Sequence, residues 1–174
     1  EIAADPLIVG KYYREILAIT KATLAKIDEL VPESSGRYEI VGFGWHQGWN
    51  DRVNQAFNDE YEKNLACLIR DLRRDLGAER LPFVIAETGM TGPTETHPRA
   101  LSLMKAQAAV AKYPEFQGNV AFVGTRDFWR AQEDALAQGQ AHVAHQRQDL
   151  GPPFGRGEGG FGIFLRHHLL QPAG

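Results

Sequence analysis

Tyr38-Glu39-Ile40-Val41-Gly42-Phe43-Gly44-Trp45-His46-Gln47-Gly48-Trp49-Asn50-Asp51 is the stretch on which the reading of this chain turns. Tyr38 to Phe43 is an apolar run of the kind that forms a buried strand. It then breaks into glycines, two tryptophans, a histidine, an amide and an acid. A strand that ends this way delivers side chains to a site, because in open α/β sheets ligands bind beyond the carboxyl ends of the strands.

Working outward, Tyr13, Ile16, Leu17, Leu24, Ile27 and Val31 fall on one helical face, which Pro32 stops. Glu33 to Arg37 is a polar loop leading into the strand. A second helix is expected from Asn58 or Asp59, where Asp59 and Glu62 have capping-box spacing. Its apolar face is Tyr61, Leu65, Leu68, Ile69, Leu72 and Leu76, with Gly77 as the stop. Leu81 to Ala86 reads as a second strand. A third helix follows Pro98, facing inward with Leu101, Met104, Ala108 and Ala111. Val120 to Val123 is a third strand, ending in Gly124-Thr125-Arg126-Asp127. Helices alternating with continuous apolar strands predict an α/β fold, a doubly wound parallel sheet between helical layers. All three strands end in polar groups: Trp45-His46-Gln47, Glu87-Thr88 and Arg126-Asp127.

The totals narrow the function. With 174 residues, 43% hydrophobic and 24% charged, the composition is that of an ordinary globular domain. A net charge of −3 and a pI near 6.1 argue against a nucleic-acid partner. One cysteine, Cys67, excludes an internal disulfide and builds no zinc site alone. It falls in a helical pattern, which predicts a buried thiol. No apolar segment reaches the roughly 20 residues needed to span a bilayer, so no membrane partner is expected. Neither a metal nor a cofactor is called for. The chain begins at Glu1, without an initiator Met or a signal-peptide pattern, and reads as a processed or incomplete product.

The stretch Trp45 to Asp51 resembles the Trp-x-Gln-Gly-x-x-Asp block of the sialate O-acetylesterase and acetylxylan-esterase branch of the SGNH hydrolases. The resemblance runs from about Tyr12 to Asp134. It is strongest at this block, at Leu81 to Gly89 and at Thr125-Arg126-Asp127-Phe128-Trp129. It implies a three-layer, flavodoxin-like α/β/α fold, incomplete at its N-terminus. It also implies a serine esterase acting on O-acetylated carbohydrate, with a secreted or periplasmic parent. Gln47 would donate to the oxyanion, for which a neutral amide with two N–H groups is suited. Asp51 would pin the loop through backbone N–H bonds. Trp45 and Trp49 either line a sugar or acyl pocket or pack in the core. His46 reads as structural or exposed. Glu87 is either a group at the edge of the site or a helix-capping or loop residue. Arg126-Asp127 is either a surface ion pair or, as the resemblance favours, part of the site floor.

The nucleophile is the gap. The family carries its serine in a Gly-x-Ser motif after the first strand, and this chain has no such motif. Ser34, Ser35 and Ser102 follow no strand in a tight turn, so none is assigned, and the nucleophile is expected upstream of Glu1. The family's catalytic histidine is expected where the resemblance stops. His142 and His145 are the weak candidates there, and neither stands in an Asp-x-x-His setting. The sequence thus divides into 1–139, the C-terminal two-thirds of an esterase domain, and 140–174, a glycine- and proline-rich tail without strand or helix period. Reading the codons of His142 to Gly157 one base later permits Met-Trp-His-Thr-Asn-Ala-Lys-Thr-Trp-Gly-Leu-Leu-Leu-Gly-Glu-Ala. That string matches the tail the resemblance implies. A frameshift near Asp134 to Gly139 is therefore expected over a genuine flexible tail, and the nucleotide sequence decides between them. The leading reading is an esterase fragment, inactive as written. The competing ones are a non-catalytic carbohydrate-binding or scaffold domain and a nucleotide-binding domain. The last lacks any glycine-rich phosphate loop after a strand.

Overall fold

A computed structural model describes residues 9–32, 38–129 and 160–167. In chain order the elements are α1 (Lys11–Leu24), α2 (Ile27–Leu30), β1 (Tyr38–His46), α3 (Gln55–Asp75), β2 (Phe83–Ala86), α4 (Pro98–Val110), β3 (Val120–Val123) and β4 (Gly160–His167). The strands form one sheet in the order β3-β2-β1-β4. β1 pairs with β2, and β2 with β3, in parallel, whereas β4 runs antiparallel to β1. The fold is thus mixed α/β with a mostly parallel sheet, consistent with an α/β/α fold.

The chain steps from β1 through α3 to β2, and through α4 to β3, always in the same direction across the sheet. Crossovers of one hand made in one direction lay their helices on one face. Phe43, Phe83, Ile85 and Val120 face that layer, where they share a core with Ile16 of α1, Tyr61, Leu65, Ile69 and Leu72 of α3, and Leu103 and Val110 of α4. Phe43 and Phe83 stack across adjacent strands at 4.9 Å between ring centroids. On the opposite face Val84, Val123 and Phe164 are exposed. There the Phe164 ring lies beside Gly42 and Gly44, where a Cβ would sit 3.5 and 3.3 Å from it.

Several expectations are corrected. The first helix breaks at Ala25-Lys26 into α1 and α2. β1 continues through Gly44, Trp45 and His46, so the first half of the motif is strand rather than loop. Its glycines read as breakers, but they serve as the floor under Phe164. α3 starts at Gln55, not at Asn58 or Asp59. Its N-cap is Asn54, whose side chain accepts from the Ala56 N–H at 2.9 Å. β2 begins at Phe83 rather than Leu81. Leu101 is exposed, and α4 buries Ala100, Leu103, Met104, Gln107 and Val110 instead. Cys67 is exposed, because it lies off the apolar stripe of α3. The tail, read as lacking a strand, contributes β4, which pairs with nearly the whole length of β1. Its glycines hide a short apolar run, Phe161 to Leu165, from any periodicity count. No described helix is long and apolar enough to cross a membrane.

Candidate active site

Three strand ends meet at one edge of the sheet. From β1, His46 is exposed, and Trp45 turns toward the helices, donating from Nε1 to Tyr61 Oη at 3.2 Å. Trp45 therefore packs against the core, whereas Trp49, four residues on, is half exposed with Arg52 over its ring. Gln47 donates from Nε2 to Asp51 Oδ2 at 2.6 Å. The acid thus engages the side chain of Gln47, a partner not expected from the sequence, together with its own backbone N–H. One N–H of the amide is committed, and the other is left for a further acceptor. Burial pushes the Asp51 carboxyl above its ordinary range, and the Gln47 hydrogen bond offsets part of that rise.

The backbone of Gln47 is clamped as firmly as its side chain. Its carbonyl accepts from Tyr61 Oη at 2.7 Å and from Gln107 Nε2 at 2.8 Å. Gln107 is fully buried, and its Oε1 accepts from the Thr88 N–H at 3.1 Å, which ties the ends of β1 and β2 together. Burial also drives the Tyr61 hydroxyl up to about 12, so it stays a neutral donor. Gly48 makes this close approach feasible. A Cβ there would sit 2.7 Å from Thr88 Cγ2 and 2.8 Å from Leu103 Cδ2, at a φ of 152°. Neither Gln107 nor the role of Tyr61 was foreseen. The available signal was a lone amide at helical spacing within the inward stripe Leu103, Met104, Val110.

The end of β2 is joined to β3 in the same manner. Glu87 is buried and accepts from the Thr125 N–H at 3.1 Å, while Thr125 Oγ1 donates to the Glu87 carbonyl at 2.7 Å. Arg126 donates to the carbonyls of Gly92 at 2.9 Å and Pro93 at 3.2 Å. It binds the loop after β2 and forms no pair with Asp127, which is exposed. That loop is tightly wound, with Gly89, Met90 and Gly92 at positive φ; Met90 at 46° is a conformation that side chains rarely adopt. Glu87, Thr125 and Arg126 thus hold strand ends in register, and Gln47, Asp51 and Trp49 are the groups that stand at the edge. Ser102 is exposed on α4, while Ser34, Ser35, His142 and His145 lie outside the described residues.

A family model described as carbohydrate esterase, sialic acid-specific acetylesterase, matches residues 8–150, which extends past Asp134, the end of the resemblance legible in the sequence. No curated protein and no solved structure matches the chain.

Proposed function

Because this chain belongs to the carbohydrate esterase family of sialic acid-specific acetylesterases, we propose that it carries the oxyanion-binding side of a site that hydrolyses acetyl esters on sugars. The observation that carries the proposal is the double hold on Gln47: its amide to Asp51, and its carbonyl to Tyr61 and Gln107. In ester hydrolysis by a serine, negative charge develops on the former carbonyl oxygen as the tetrahedral intermediate forms. A donor lowers that barrier only if it is aimed before the charge appears. The uncommitted N–H of Gln47 meets this requirement and has no proton to lose near neutral pH.

The sequence assigns no serine as nucleophile, and Ser102 on α4 follows no strand. A triad acts as a unit, so on this reading the chain as written hydrolyses no acetate ester above background. The oxyanion role is tested in the gene product that carries this segment together with a serine nucleophile. There Gln47→Ala lowers kcat for an O-acetylated sugar by about 10²–10³, with a much smaller change in KM. An intact kcat, or a change confined to KM, overturns the assignment.

A further inference from the structure

The sheet has two edges, and they are finished differently. At one, β3 is only four residues long. At the other, β4 runs for eight, paired along one side with β1 and, among the described residues, with no strand along the other. A strand edge carries a row of N–H and C=O groups open to another chain, and proteins blunt it with short strands, proline, charge or a bulge. β4 is long for an edge and holds no proline, and Arg166 is its sole formal charge. The irregularity in its pairing falls on β1, between Ile40 and Gly42, which leaves β4 itself regular. Near its middle Phe164 stands 56% exposed on the sheet face away from the helices, with Gly42 and Gly44 along one side of its ring. Ile163, beside it, packs against the core on the other face.

We propose that the outer edge of β4 docks a second copy of this chain, the two β4 strands pairing antiparallel and joining the two four-stranded sheets into one. Such a pair has a two-fold axis normal to the sheet, so β4 is its own complement and both copies present the same patch. The axis also fixes the register. Residues opposite each other in an antiparallel pair point to the same face, and the axis keeps the helices of both copies on one face. Phe164 therefore faces its own counterpart and never Ile163. In that register Gly162 faces Arg166, so the formal charge of each strand meets a glycine and like charges stay apart. A foreign strand would have to bring an apolar side chain to that one position, whereas a second copy brings it by symmetry. Because the axis reverses the strands, the two candidate sites lie at opposite ends of the joined sheet.

Sedimentation velocity over a dilution series of the chain tests this. The expected result is a reversible monomer–dimer equilibrium in the micromolar range, since an edge contact is smaller than a standard interface. Phe164→Lys sets two ammonium groups against each other at the axis and weakens the dimer by about tenfold or more. Val84→Lys is the control: Val84 is exposed on the same face, but β2 has a strand on each side, so the dimer is unchanged. In a Cys67→Ser background, which removes the native exposed thiol, Phe164→Cys links to its own copy by a disulfide on mild oxidation, and Val84→Cys does not. A monomer at every concentration, a dimer indifferent to Phe164→Lys, or one lost equally in Val84→Lys overturns the proposal. The last result would mean that the copies meet face to face instead. Should Phe164→Lys fail to melt cooperatively, the two cysteine variants decide.

Discussion

The two ends of the sheet are built from different chemistry. At the carboxyl ends of β1 and β2 the ties are mostly neutral: the Gln47 carbonyl, Tyr61, Gln107 and the Thr88 N–H. At the opposite end a buried cation does the same task. Arg73, 7% exposed, reaches from the last turn of α3 to the Leu81 carbonyl through Nε and Nη2, at 3.2 and 2.9 Å. Its Nη2 also donates to the Asn119 carbonyl at 3.4 Å and to Asn119 Oδ1 at 2.6 Å. One residue thus fixes the starts of β2 and β3 under the Phe116 ring. Around it Arg70 pairs with Glu115, and Arg74 with Asp71 and Asp75, all at the surface. A buried cation is tolerable where nothing reacts. Beside a developing oxyanion, the role proposed for Gln47, aim matters and a titrating partner adds a pH dependence, which favours amides and hydroxyls.

If this division holds, the largest loss of stability comes from the charged end. Arg73→Met preserves much of the stem and strands its buried acceptors, and it should cost about 3 kcal/mol. Urea unfolding of wild type and variant measures this, and a loss below about 1 kcal/mol would mean that Arg73 is dispensable packing. At the neutral end, Gln107→Leu fills nearly the same volume but leaves the Thr88 N–H unpaired and removes one of two donors to the Gln47 carbonyl. About 2 kcal/mol is expected. In a protein that joins this segment to a serine nucleophile, the proposed oxyanion role predicts a lower kcat as well, because the backbone that aims the amide is loosened. Loss of stability with kcat untouched would reduce the network to packing and blur the contrast between the two ends.

How far the sequence carried these conclusions depended on the range of each contact. β3 was legible to the residue, since Val120 to Val123 is apolar and bounded by glycines at 118 and 124. Gln47 and Asp51 stand out in the sequence through the motif they share, although the side-chain hydrogen bond between them is not expected from it. Gln107 was not legible, because it meets Gln47 across 60 residues and hydropathy places an amide outside a helix. The same misplacement rotated α4, so Leu101 was expected inward. β1 was read three residues too short, because Gly44 breaks a pattern in sequence that Phe164 completes in space. β4 was missed for the same reason, its partner β1 lying more than a hundred residues earlier in the chain.

Asp51 stands with Glu87 and Arg126 among the charged groups of the mostly neutral end, and it offers the smallest and finest test. Burial raises its carboxyl in the folded protein above the value in the unfolded chain, with the Gln47 bond offsetting only part. The folded state therefore binds the proton more tightly. Whatever the protonated form contributes to stability is complete below the ordinary carboxylate range and is lost as pH rises through the raised folded value. Asp51→Asn removes the titration while keeping an oxygen that accepts from Gln47 Nε2. Melting temperatures followed from acid to neutral pH should show wild type losing ground to the variant across that window, and the gap should then stay constant. The effect is smaller than those of the two preceding substitutions, because Asp51 is only half-buried and water screens its charge. Since Gln47 remains held, the proposed oxyanion role predicts that kcat, in a protein joining this segment to a serine nucleophile, falls far less than in Gln47→Ala. A wild type that gains on the variant as pH rises through that window would reverse the sign. It would mean that the charge-assisted bond to Gln47 outweighs the penalty of burial, and that the hold on the Gln47 amide depends on an ion.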